Sequence, residues 1–151
     1  MTEIIILITV GWLLIKIVFR YENYIFFKKY RARAAILNWI NLPDNWDGYG
    51  AEPLTENVIN DAIKFVEKLP MNTLPPTSIS PSADNEIVFE WRILGTNNVT
   101  VVVSVYGDKY FHCYSKINDS QIFIDDAEFY HEIDQRLLDI LKHITAITMF
   151  G

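Results

Sequence analysis

With 151 residues the chain has room for one domain, and with half of them hydrophobic and 14% aromatic it can bury a substantial core, which excludes disorder over most of its length. Its single cysteine, Cys113, excludes an internal disulfide and with it a disulfide-stapled secreted scaffold. The net charge of -6 is unevenly divided: residues 1–34 carry six Lys or Arg against two Glu, giving +4, and the remainder seven against seventeen acids, giving -10. A basic neck is thus joined to an acidic body, so the body repels nucleic acid and anionic lipid while the neck attracts both.

The chain opens with an apolar run, Ile4 to Phe19, of sixteen residues interrupted by one charge, Lys16. As a helix it is roughly 24 Å long at ~1.5 Å per residue, a little short of a ~30 Å hydrocarbon core. Snorkelling of Lys16 at one end and Met1 and Thr2 at the other extend it. An aromatic cluster follows (Tyr21, Tyr24, Phe26, Phe27, Tyr30), suited to a headgroup belt, and then Lys28 to Arg33, KKYRAR. This pattern predicts a membrane anchor over residues 1–34. Ile4, Leu7, Trp12, Leu13, Leu14 and Phe19 lie in the bilayer, with Lys28 and Lys29 at its surface. The positive-inside rule then places the body in the cytoplasm, at a bacterial inner membrane. Charge after the run, rather than before it, is the reverse of a cleaved secretory signal. A helix buried in protein, with a soluble cytoplasmic chain, is the alternative. Against it, residues 4–15 are apolar all round except for Thr9 and Gly11.

The second unit, residues 35–151, is predicted to be α+β. The first helix continues to about Ile40 and Pro43 ends it. Thr55 is placed to cap a helix over about Glu56 to Leu69, with Val58, Ile59, Ala62, Ile63, Val66 and Leu69 on one face. A loop rich in Pro, Ser and Thr follows, with room for a short edge strand around Thr77 to Ser80. Four segments then alternate with period two or are bounded by turn residues: 86–93, 99–106, 109–117 and 121–125. They predict a four-stranded antiparallel meander. A helix from about Ala127 to Met149, capped by Asp125 or Asp126, closes the chain, and it covers one sheet face together with the helix at 56–69.

The most distinctive string is NWDGYGAEP, Asn45 to Pro53. Asp47 suits an Asx turn, Gly48 and Gly50 suit positive φ, and Trp46 and Tyr49 can pin the loop or hold a small polar ligand. The string, the helix after it and the EWR of Glu90 to Arg92 resemble a set of small bacterial and phage proteins. These have a W-D-G-x-G-A-x-P segment followed by a helix and an antiparallel meander. The resemblance covers roughly residues 40–145 and implies that fold; no activity is attached to the set.

Catalytic signatures are thin. His112, His131 and His143 lack ligand spacing and there is one cysteine, so no metal and no cofactor is expected. Cys113 and His112 are strand neighbours and point to opposite faces. Glu86, Glu90 and Arg92 share a strand face and, with Asp47, are the carboxylate-centred candidates for acid–base work or ligand binding. The function expected is a membrane-tethered, non-enzymatic module that binds a protein with a basic surface, of the immunity, antitoxin or defence type. A carboxylate enzyme and an acidic nucleic-acid mimic are the alternatives; the oligomeric state is open.

Overall fold

A computed structural model describes residues 2–95 and 98–150, and for residues 2–9, 11, 12 and 150 it describes the backbone alone. The elements are helix α1 (Thr2–Asn38), a 3-10 turn (Trp39–Asn41), α2 (Glu56–Lys68), β1 (Ser78–Ser82), β2 (Glu86–Ile93), β3 (Val99–Val105), β4 (Tyr110–Ile117), β5 (Ser120–Glu128) and α3 (Gln135–Phe150). The fold is α+β: three α-helices and an antiparallel sheet in the order β1-β2-β3-β4-β5.

The sheet has five strands where the alternation predicts four. The fifth is β1, which overlaps the short edge strand allowed around Thr77 to Ser80 and includes Pro81 opposite Ile87. Proline donates no ladder hydrogen bond, and β1 tolerates it because it is an edge. The last helix also starts later than expected, at Gln135 rather than Ala127. Asp125 and Asp126 are strand residues, because β5 passes through a register shift opposite Phe111 and Cys113 and resumes pairing as far as Glu128. Asp126 takes φ 49 at that irregularity. The cap is Asp134, whose Oδ1 accepts the Arg136 N–H at 2.8 Å. Thr55 stands at the N-cap of α2 but its side chain makes no capping bond; its Oγ1 accepts from Asn85 Nδ2 at 3.3 Å instead.

Alternation places Ile87, Phe89 and Trp91 of β2, the four valines of β3 at 99, 101, 103 and 105, and Phe111 and Cys113 of β4 on the face covered by α2 and α3. The centre of this core is Phe65, which is fully buried and absent from the stripe predicted for α2. Its ring lies 5.0 Å from Phe89, 5.7 Å from Phe111 and 5.5 Å edge-on from Phe129. Trp91 is buried with its indole N–H donated to the Leu74 carbonyl at 2.8 Å.

Helix α1 is continuous across the expected boundary between residues 34 and 35. Ile25 and Ile36 are fully buried, so the body packs on α1 from Ile25 onward. The stretch before it is bare: Leu13, Leu14, Ile15, Ile17, Val18 and Phe19 are each more than half exposed. Among the described residues no helix is long and apolar enough to cross a membrane, and this corrects the expectation of a spanning helix. The sixteen-residue apolar run makes roughly 24 Å of helix, short of a ~30 Å hydrocarbon core, and Arg20 and Glu22 follow it. The anchor assignments of Ile4, Leu7 and Trp12 lie outside the described side chains.

Candidate functional site

The molecule has two chemically opposite ends. Lys29 Nζ donates to the carbonyl of Leu69, and Arg33 Nε lies 3.9 Å from Glu67. The C-terminal end of α2 therefore sits beside the basic neck of α1, and the start of α2 with the loop before it lies at the far end. Asn85 Oδ1 accepts the Thr55 N–H at 2.9 Å, which ties the β1–β2 turn to that far end. Asp61 Oδ2 accepts the Lys109 N–H at 2.8 Å and ties the β3–β4 turn to α2. These segments are rich in acids: Asp44, Asp47, Glu52 and Glu56 in and around the loop, Asp84 in the β1–β2 turn, and Asp108 beside Lys109 in the β3–β4 turn.

The neck end is apolar and basic. A depression shared by Tyr24, Lys28, Leu94 and Thr148 brings the β2–β3 tip and the end of α3 to it, and a second joins Phe26, Tyr30 and Arg33 to Met71. Leu94 is 80% exposed, and Phe26, Phe27, Tyr30 and Met71 are exposed too. Lys28 lies 5.5 Å over the Tyr24 ring and Arg31 5.7 Å over Phe27, so the cations stand on the aromatics of the same helix.

The residues singled out from sequence fall into three places. Trp46, Asp47 and Tyr49 share the far-end loop. Asp47 Oδ1 accepts from the N–H groups of Tyr49 at 2.8 Å and Ala51 at 3.0 Å, and Asn45 Oδ1 accepts from Gly50 at 2.6 Å. The first two bonds hold the Asp47 carboxyl below its usual range. Trp46 Nε1 donates to the Glu52 carbonyl at 3.0 Å. Asn45, Gly48 and Gly50 all take positive φ, the conformation that selects glycine or asparagine. The polar groups of the loop are thus spent on its own shape, and Tyr49, 95% exposed, is left pointing at solvent.

Glu90 and Arg92 are paired with each other on the open face of the sheet, and Ser78 Oγ donates to the other Glu90 oxygen at 3.1 Å. Glu86 stands at the far end of the same strand, opposite Ser82. Four residues of strand separate it from Glu90 by about 13 Å at ~3.3 Å per residue, beyond the ~6.5–9.5 Å over which two carboxylates share a reacting group in inverting glycosidases. Asp47 joins neither. The three carboxylates are not one constellation. Lys28 and Lys29, expected at a membrane surface, are at the neck.

Periodicity gave no notice of two further clusters. On the open face, Tyr106 stacks on His112 with centroids 4.4 Å apart, its hydroxyl donates to Asp126, and His112 Nδ1 accepts the Asp126 N–H at 3.4 Å. The irregular register of β5 brings these residues together; it clamps β5 to the end of β3 through β4. The second is Asp61, a carboxylate almost fully buried in α2. It orders Asp108 and Lys109, which both hold positive φ. Its position on the buried face, between Val58 and Phe65, is the only signal the sequence carries. Among the described residues no group of three or more His, Cys, Asp or Glu side chains is placed to hold a metal.

Comparison with protein-family models, curated proteins and solved structures returns no match.

Proposed function

We propose that this protein is a binding module held at a membrane by the apolar end of α1, presenting its acidic far end to a protein with a basic surface. The observation that carries the reading is the polarity of the molecule. Bare apolar helix, exposed aromatics and cations meet at one end, and the acidic loop before α2 and the β1–β2 turn with Asp84 lie at the other. An apolar helix bare on every side needs lipid or protein to cover it. Aromatics followed by cations are the order expected across a bilayer surface. The bilayer then holds the neck end, and the charge of the far end favours encounter with cationic partners. The loops there are braced by their own hydrogen bonds, so binding costs little ordering. An immunity, antitoxin or exclusion protein of bacterial or phage origin would fit this description.

The test combines location with contact. Full-length protein floats with phospholipid vesicles, and a chain beginning at Ile25 stays at the bottom of the gradient while keeping its fold. A photo-cross-linker placed at Tyr49 in the native host captures one partner carrying a basic surface, in a complex that weakens with salt. The same group at Lys142 captures none. A full-length chain that fails to float removes the membrane from the reading, and equal capture from both positions, or none, removes the far-end partner.

A further inference from the structure

The neck end contains a cavity that tethering alone leaves unexplained. It has a volume of about 260 Å³ and lies between α1, the end of α2 and the loop from Thr73 to Ile79. Ala32, Val66, Leu69, Leu74 and Ile79 give it apolar walls, and Lys28, Lys29 and Arg31 stand along α1 beside them. The loop wall is fixed from both sides. The Leu74 carbonyl accepts from Trp91 Nε1 at 2.8 Å, and its N–H donates at 2.9 Å to the buried Thr145 hydroxyl. The cavity is therefore preformed.

Its cations lack anions. Among the described residues no carboxylate lies within 4.0 Å of Lys28, Lys29 or Arg31. Lys29 is half-buried with a carbonyl for its partner, and burial pushes its ammonium below the usual range. A desolvated cation without a counter-charge is costly, and an anionic ligand with an apolar part relieves that cost. The volume falls just under the roughly 300–1,000 Å³ of sites that enclose whole small molecules, which suits one end of a larger amphiphile.

We infer that this cavity holds one anionic phospholipid, its phosphate against Lys28, Lys29 and Arg31 and the first part of an acyl chain between the apolar walls. The inference rests on the membrane tether proposed above, which brings the cavity to headgroup depth. Unlike general attraction of a basic neck to a charged surface, it requires a specific shape as well as charge.

The experiment incorporates the full chain into nanodiscs of phosphatidylcholine doped with phosphatidylglycerol, releases it into detergent and counts retained lipid by native mass spectrometry. Wild type retains one phosphatidylglycerol. Ala32→Phe, which fills the cavity at unchanged charge, and the exposed pair Lys28→Gln/Arg31→Gln each lower retention about tenfold or more. Lys16→Gln/Arg20→Gln removes as much charge from α1 ahead of the cavity and leaves retention intact. Three results overturn the inference while leaving the tether standing: nothing is retained, both lipids are retained equally, or the two charge pairs have equal effects. If the chain does not enter the nanodiscs at all, the tether fails and the inference falls with it.

Discussion

Leu13–Phe19 and Ile25–Ile36 belong to one unbroken helix, yet their surroundings are opposite. In the second stretch Ile25, Lys29, Ala32 and Ile36 recur at helical spacing and turn one stripe toward α2 and the loop after it. The flanks of the stripe carry Arg31, which lines the cavity, and Tyr30 and Arg33, which border Glu67 and Leu69 at the end of α2. In the first stretch every residue but Lys16 is apolar, so no single packed face can cover them all, and the body leaves each of them more than half exposed. A stripe specifies one protein neighbour, whereas apolar residues on several faces, with Lys16 among them, leave more than one side to be covered. The same distinction separates the two ends of the molecule. The neck end exposes groups that need covering, and the far end spends its polar groups internally and keeps its carboxylates in water.

The comparison predicts that the two halves of α1 respond independently to damage in the body. Phe65→Ala removes the ring at the centre of the four-phenylalanine cluster and is expected to cost about 3–5 kcal/mol. Denaturant unfolding of the full chain in detergent measures the loss. Cys113 supplies a second reading: burial pushes its thiol up to about 12, so labelling at neutral pH reports opening of the core and accelerates in the variant. Vesicle flotation of Phe65→Ala stays at the wild-type level. A fall in flotation that matches the loss of stability means that the body, and not the bare helix, holds the membrane.

A smaller effect is expected from Asp61→Ala. The change leaves the Lys109 N–H without its acceptor beside two residues at positive φ, at a cost of about 1–3 kcal/mol. Its signature is local. Amide exchange quickens across the β3–β4 turn and at the Phe129 N–H, which donates to the Lys109 carbonyl at 3.2 Å, while the neck end is unchanged. Uniform acceleration over the whole body assigns Asp61 to global stability and dissolves the local role.

What the sequence made legible follows from periodicity. Ile87, Phe89 and Trp91 face inward because their alternation leaves them one dry side, and α2 lies within one residue of its expected end because Pro70 stops it. The fifth strand was legible only as room for a short edge strand around Thr77 to Ser80, because Pro81 argues against a strand everywhere except at an edge, and edges are decided by neighbours far along the chain. The late start of α3 was obscured by Asp125 and Asp126, which look like caps until β5 is found to pass its irregularity and pair on to Glu128. Of the candidate site, the loop at Asn45–Pro53 and the basic neck were readable as strings. The cavity was not, since its walls come from α1, α2 and a loop forty or more residues from the neck. The Tyr106–His112–Asp126 cluster depends on a register shift that no local pattern records.

The smallest expected effect distinguishes the ends by pH. Backbone donors from Tyr49 and Ala51 hold the Asp47 carboxyl below its ordinary value, and Arg136 does the same for Asp134 at the start of α3. A carboxyl lowered by folding contributes stability that is fully present above its unfolded value, near ~3.9, and is lost as pH falls through the folded value. The loop at residues 45–51 and the first turn of α3 are therefore expected to loosen below about pH 4, seen as faster exchange at the Tyr49 and Ala51 amides. Asp47→Asn keeps an oxygen acceptor without a titrating proton, so the loop should stay closed at neutral pH and its exchange should lose this pH dependence. If the variant opens already at neutral pH, the charge itself and not the acceptor geometry holds the loop. The far end would then owe its rigidity to the same carboxylates that it offers to a basic partner, and partner binding would compete with the loop's own hydrogen bonds.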